Sequence, residues 1–163
     1  MAARFGVARV FTCPLVGTTP KSILGLATAP NHAIRITELG VSFDGVVNTN
    51  KPGDVQLVLC SADGTGTGLL TTAFTNVSTA GNGSIHKLDE GVADSLDTSG
   101  KHTYTVEPTY DRIYGAWFVH PQTGLVLPAN DLGMIIVPAG KFVVIRCAFV
   151  ADVNVHGYLK FEE

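Results

Sequence analysis

Five histidines, three cysteines and fourteen carboxylates are the residues of this 163-residue chain best suited to chemistry. Their spacing decides whether they do any. Local metal motifs place two histidines at i, i+2 on a strand or i, i+4 on a helix, so that both rings reach one ion. His32, His86, His102, His120 and His156 fall at neither spacing. Cys13, Cys60 and Cys147 stand singly among apolar or small neighbours, with no C-x-x-C pair to bind zinc or cycle a disulfide. They read as reduced thiols buried in a core. Asp89-Glu90 and Glu162-Glu163 are adjacent carboxylates, but neighbours on a strand point to opposite faces and make no acid–base couple. The run Gly64-Thr65-Gly66-Thr67-Gly68 lacks the Gly-Lys-Ser/Thr that opens the helix of a phosphate loop, and Leu69-Leu70 follows it. It reads as a flexible hairpin loop. No Gly-x-Ser-x-Gly elbow occurs. The expectation is a protein without catalytic residues, metal or cofactor.

Aromatic residues form the remaining constellation: Tyr104, Tyr110, Tyr114, Trp117, Phe118 and Tyr158. Trp117, the single tryptophan, alternates in phase with Ile113 and Val119. It suits core packing, or alternatively an interface anchor or sugar-stacking platform, because Trp and Tyr offer large rigid contact area at little entropic cost.

The elements that would position these groups are strands. Odd positions from Val153 to Phe161 are Val, Val, Gly, Leu and Phe, and the even ones are Asn154, His156, Tyr158 and Lys160. This alternation puts one face on a core and the other in water or at an interface. Phe142 to Val150 forms a strand apolar on both faces, and Ala151-Asp152 is read as the tight connection of an antiparallel hairpin with the last strand. Ile34 and Ile36 are out of phase with Leu39, Val41 and Phe43, so one extra residue near Glu38-Leu39 predicts a β-bulge. Further strands are expected over Val55–Cys60, Ile113–Val119 and Leu125–Leu127. Turns are expected at Asp44-Gly45, at residues 120–124 and at residues 137–140. Leu88 to Leu96 is a weak helical candidate. Arg4 to Phe11 reads as a first strand, at an edge.

These elements specify an all-β protein, an antiparallel sandwich of jelly-roll-like type with about eight strands and little helix. Residues 1–20 are read as an N-terminal strand or arm with a Pro-bounded hinge, and residues 21–163 as one domain. The arm is a candidate for adding a strand to a neighbour's sheet. Arg4, Phe5, Val7, Arg9 and Phe11 on it, with Trp117, His156 and Tyr158, are the candidate interface residues. Only 15% of residues are charged, against about 25% on average. A surface so poor in charge suits burial against partners, since interface cores are depleted in charge. Net charge is −3 with no basic cluster, which speaks against direct nucleic-acid binding. No apolar stretch approaches the length of a membrane-spanning helix, and no leader with a long apolar run opens the chain.

Several stretches resemble small tailed-phage virion structural proteins of the capsid decoration, or cement, type: residues 34–45, Trp117-Phe118-Val119-His120-Pro121-Gln122, Val137-Pro138-Ala139-Gly140, and residues 153–163. They run from about residue 34 to the end, with no matching motif between Asn76 and Gly100. The resemblance implies a β-sandwich subunit on the capsid surface, made in the host cytoplasm. It implies homo-oligomers, trimers above all, and the major capsid protein as partner. The competing expectation is a carbohydrate- or receptor-binding module of a phage head or tail fibre.

Overall fold

A computed structural model describes residues 4–44, 51–71, 82–88, 96–132, 135–149 and 152–163. Asp44-Gly45, the central part of the Leu88–Leu96 helical candidate, Asn76 and the Ala151 side of the expected tight connection lie wholly or partly outside the described residues. The described chain is almost entirely β: β1 Phe5–Leu15, β2 Lys21–Ala27, β3 Ile34–Asp44, β4 Gly53–Ala62, β5 Thr65–Gly68, β6 Leu70–Thr71, β7 Gly83–Lys87, β8 Ser99–Val106, β9 Thr109–Val119, β10 Leu125–Pro128, β11 Ile135–Val137, β12 Phe142–Ala148 and β13 Val153–Glu162. A single helical turn, α1 Ala129–Leu132, lies between β10 and β11.

The strands form two sheets. Sheet A runs β10-β3-β13-β1-β7-β6, with β11 beside β10 on the same edge of β3, and sheet B runs β5-β8-β2-β12-β4-β9. Every pairing is antiparallel except β6 with β7. The all-β sandwich is thus as the sequence implies. Strands are more numerous than expected because Gly64–Gly68 is not a free loop. Thr65–Gly68 pairs with β8, which in turn pairs with β2.

Core and bulges explain the sequence pattern. On β13, Val153, Val155, Leu159 and Phe161 all point inward and are buried. Lys160 pairs with Glu38 and Phe161 with Ile36, so Thr37 is an extra residue. This bulge keeps Ile34 and Ile36 on the same buried side as Leu39 and Val41. A second bulge in β1, between Val10 and Cys13, likewise carries Ala8 and Val10 into phase with Cys13 and Leu15. Two rings need glycines opposite them. A Cβ on Gly6 would lie 2.4 Å from the Phe161 ring, and one on Gly53 would lie 1.7 Å from Phe149. Phe149 also meets Phe43 at 4.6 Å between ring centroids.

Three expectations are corrected. β12 and β13 are not a hairpin: β12 pairs with β2 and β4 in sheet B, whereas β13 pairs with β1 and β3 in sheet A. The cause is that β12 is apolar on both sides. Val143, Ile145 and Cys147 enter the main core, and Val144 enters a second cluster with Val58, Cys60 and Tyr104 on the outer side of sheet B. β1 is not an edge arm, since it lies between β13 and β7 with both edges paired. Ile113 does not share the inward phase of Trp117 and Val119. Gly115 faces Leu57 and Ile113 faces Val58, so Tyr114 is the bulged residue and Ile113 turns outward.

Candidate interaction face

Period-two alternation makes each sheet two-faced, and the outer faces differ in what covers them. On sheet B the side chains of Asp63, Lys101, Tyr104, Glu107 and Tyr110 cover part of the outer face. Tyr104 lies against Gly25, where a Cβ would sit 2.2 Å from its hydroxyl. Its hydroxyl donates to Asp63 Oδ1 at 3.4 Å, and Lys101 Nζ pairs with Asp63 Oδ2 at 2.5 Å. Beside them the Glu107 carboxylate accepts the Ser22 amide at 2.9 Å, the Ser22 hydroxyl at 2.6 Å and the Tyr110 hydroxyl. The Arg146 guanidinium stacks over Tyr110, 4.6 Å from the ring centroid. Part of this face is therefore occupied by the chain itself, while Ile113 and Phe118 on β9 stay exposed.

Sheet A has no such cover among the described residues. Its outer face is built in rows across neighbouring strands. Arg9 on β1 pairs with Tyr158 on β13, Tyr158 with Gly40 on β3, and Gly40 with Val126 on β10. One row along, Val7 pairs with Lys160 and Lys160 with Glu38. A groove of about 410 Å³ runs over these rows, its floor and walls including Val7, Arg9, Phe11, Val126, His156 and Tyr158.

The groove has fixed polar geometry on one side. Glu38 accepts the Tyr158 hydroxyl at 2.5 Å and Lys160 Nζ at 2.9 Å. The Tyr158 hydrogen bond, seconded by Lys160, holds the Glu38 carboxyl below its ordinary value. Burial, with Glu38 adding to it, pushes Tyr158 up to about 12. Glu38 holds Tyr158 by its tip, and the ring lies over Gly40, where a Cβ would be 2.0 Å away.

The other side is less satisfied. Arg9 Nε donates to Ser84 Oγ at 3.0 Å, and the guanidinium stacks 4.7 Å from the Phe11 centroid. Its Nη2 is enclosed without an acceptor, and no carboxylate pairs with it among the described residues. Burial lowers its pKa, yet an arginine remains charged at any working pH.

Of the residues singled out in the sequence, Val7, Arg9, Phe11, His156 and Tyr158 converge on this groove. Phe5 lies at the end of the same face, paired with Glu162 and exposed. Arg4 does not join them. It forms ion pairs with Asp97 at 2.5 Å and Glu163 at 3.1 Å, tying residues 97–98 to both outer ends of β1 and β13. Trp117 is also elsewhere, on β9 of sheet B, half-buried against the main core. Gly40, Ser42, Val126, Glu38 and Lys160 were not singled out, since their place here depends on β3 and β10 lying beside β13. The bulge at Thr37 gives the one available signal, because it puts Glu38, Gly40 and Ser42 on the outer side.

The histidines are dispersed. His102 is buried, its Nδ1 2.9 Å from Thr103 Oγ1, and burial lowers its pKa. His120 Nδ1 accepts the Gln122 amide at 3.3 Å, and His156 stands in the groove. Among the described residues no three His, Cys, Asp or Glu side chains are grouped to hold a metal ion.

The tyrosines set an alkaline limit on the fold. Burial raises all four, Tyr104 and Tyr114 as well as Tyr110 and Tyr158, the last two up to about 12. In the unfolded chain they ionise near 10. Above that pH the unfolded state binds fewer protons than the native state, so stability falls as pH rises. The contribution is complete below pH about 10 and is lost as pH passes through 12. Tyrosinate absorbance should therefore appear in one steep step together with loss of the far-ultraviolet β signal. Smooth ionisation of all four near pH 10, with the sheets intact, would contradict the burial described.

Compared with protein-family models, curated proteins and solved structures, the chain matches none.

Proposed function

We propose that the protein is a virion structural subunit of the capsid-decoration type. In this reading it stabilises a phage head lattice through contacts with the major capsid protein, and is present as a homo-oligomer with a trimer favoured. The observation that carries the reading is the asymmetry of the sandwich: part of the outer face of sheet B is covered by the chain's own side chains, whereas sheet A presents a grooved face that the described residues leave open. A cement protein needs a rigid scaffold and an extended contact surface. Burial of apolar area contributes roughly 25 cal/mol per Å² before association costs.

Strand order supports the jelly-roll form of the sandwich. β1-β13-β3-β10 faces β2-β12-β4-β9, and the chain crosses between sheets from β1 to β2, β2 to β3, β3 to β4, β9 to β10, β11 to β12 and β12 to β13. That is the double Greek-key connectivity of an eight-stranded jelly roll. β5 to β8 then form an insertion between β4 and β9 that widens both sheets.

The test is sedimentation. Purified protein added to heads assembled without it should pellet with them in a fixed ratio to the shell subunit, and light scattering of the free protein should give three chain masses. Protein that stays in the supernatant at micromolar concentration and scatters as a monomer would remove the assignment.

One observation favours a glycan- or receptor-binding module instead. Tyr158 lies over Gly40 beside Phe11 on the open face, as a stacking platform requires. Trp117 faces the core and takes no part. Glycan binding lost on Tyr158→Ala, together with failure to pellet with heads, would select this second reading.

A further inference from the structure

We propose that the groove on the outer face of sheet A receives an extended segment of another protein that presents a carboxylate flanked by apolar side chains, the carboxylate meeting Arg9. The proposal deepens the reading of sheet A as the contact face by naming the chemistry of what it contacts. It rests on that reading only for the partner being a shell protein.

Charge complementarity selects the occupant. Every charged group at the groove except Arg9 has a settled partner or is a histidine: Lys160 and Glu38 neutralise each other at 2.9 Å, and Glu38 also holds the Tyr158 hydroxyl. Among the described residues Arg9 alone keeps a full positive charge with no carboxylate, one nitrogen bonded to a neutral serine and another enclosed without an acceptor. A guanidinium left so in a partly dry wall carries a desolvation cost that an incoming carboxylate offsets through its charge and a charge-assisted hydrogen bond. Arg is the side chain whose planar fork suits that contact. A phosphate or nucleic-acid backbone would call for several such cations. Here there is one, in a chain of net charge −3.

The rest of the groove suits apolar flanks. Val7 and Phe11 lie on either side of Arg9 along β1, and Val126, 62% exposed, closes the far wall. Residues at i and i+2 of an extended segment lie on one side of it. A segment with apolar, acidic and apolar residues at i, i+2 and i+4 can therefore lie over these strands and offer both kinds of contact from one side. Between Arg9 and Val126 the Tyr158 ring, lying flat over Gly40, forms the floor.

The experiment uses the whole chain and two probes, acetyl-Val-Ser-Glu-Ser-Val-amide, which puts both valines and the glutamate on one side when extended, and its glutamine counterpart, followed by amide NMR. The glutamate peptide should move the signals of Phe11, Gly40, Val126 and Gly157 and bind about tenfold more tightly than the glutamine peptide, the size of one charge-assisted contact. Arg9→Met should erase that preference, so that the two peptides bind alike. Ser42→Trp, at an exposed position in the groove, should block both peptides. It serves as the second variant if Arg9→Met does not fold. Equal binding of the two peptides, no binding of either at millimolar concentration, or a preference that survives Arg9→Met would overturn the assignment. So would an oligomer that Arg9→Met dissolves, because the occupant would then be a second copy of the chain. Failure to pellet with heads, with peptide discrimination intact, would remove the capsid reading and leave the groove assignment standing. Pelleting without discrimination would do the reverse.

Discussion

A chain from which residues 2–12 have been deleted is expected not to fold. The deletion removes most of β1, which is hydrogen-bonded to β13 from Phe5 to Val10 and to β7 from Gly6 to Val10. It takes Ala8 and Val10 out of the core and strands backbone donors and acceptors on both neighbours. Each such group, if it stays buried, costs on the order of 1–3 kcal/mol. Global stability is only about 5–15 kcal/mol for a domain, so a gap through the middle of sheet A exceeds it. Circular dichroism and thermal scanning of the truncated chain should show no cooperative transition. A cooperatively melting β protein after the deletion would mean that residues 2–12 are the detachable arm their sequence position suggests, and that β13 does not depend on them.

Phe161→Ala is the single substitution expected to cost most, about 3–5 kcal/mol. Phe161 is fully buried in the main cluster, and its ring fills the space left by the missing side chain of Gly6. Once the ring is gone, Gly6 has no side chain to collapse into the cavity, which places the cost toward the upper end of the range. The urea midpoint should fall by about 1 M or more at an unchanged slope, given slopes of about 1–3 kcal/mol per M. The contact itself is tested by a double-mutant cycle. Gly6→Ala alone should destabilise, because its Cβ would lie 2.4 Å from the ring. In the Phe161→Ala background the same methyl group enters the vacated space. The double variant should therefore lose less than the sum of the two singles. Strict additivity would show that the ring and Gly6 do not share this space.

Both predictions turn on pairings that the amino-acid order does not display. The inward and outward sides of β13 were legible, because one buried face imposes a period of two on side-chain polarity, and so was the bulge in β3, because an extra residue is the only way to keep Ile36 and Leu39 on one side. β2 was not legible. Ser22 to Leu26 is buried on both faces, so it shows no alternation, and Gly25 within it makes room for Tyr104 from the insertion. β5 and β8 were missed for a related reason. Their Gly and Thr positions carry no apolar signal, and they are strands only because β2 offers β8 an edge and β8 in turn offers one to β5.

By itself, then, the order of residues determined the all-β class, the alternation of several strands, the turns at Gly124 and Gly140, where φ is +66° and +70°, and a charge-poor surface. These are local consequences of backbone sterics and of the polarity of neighbouring positions. Only the tertiary structure decided that β1 is interior, that β12 and β13 face each other across the core, and that Arg9, Phe11, His156 and Tyr158 share one groove while Trp117 and Arg4 stand apart from it. Which strands become neighbours is set by long-range burial of whole faces, a property of the entire chain that no short window of residues contains.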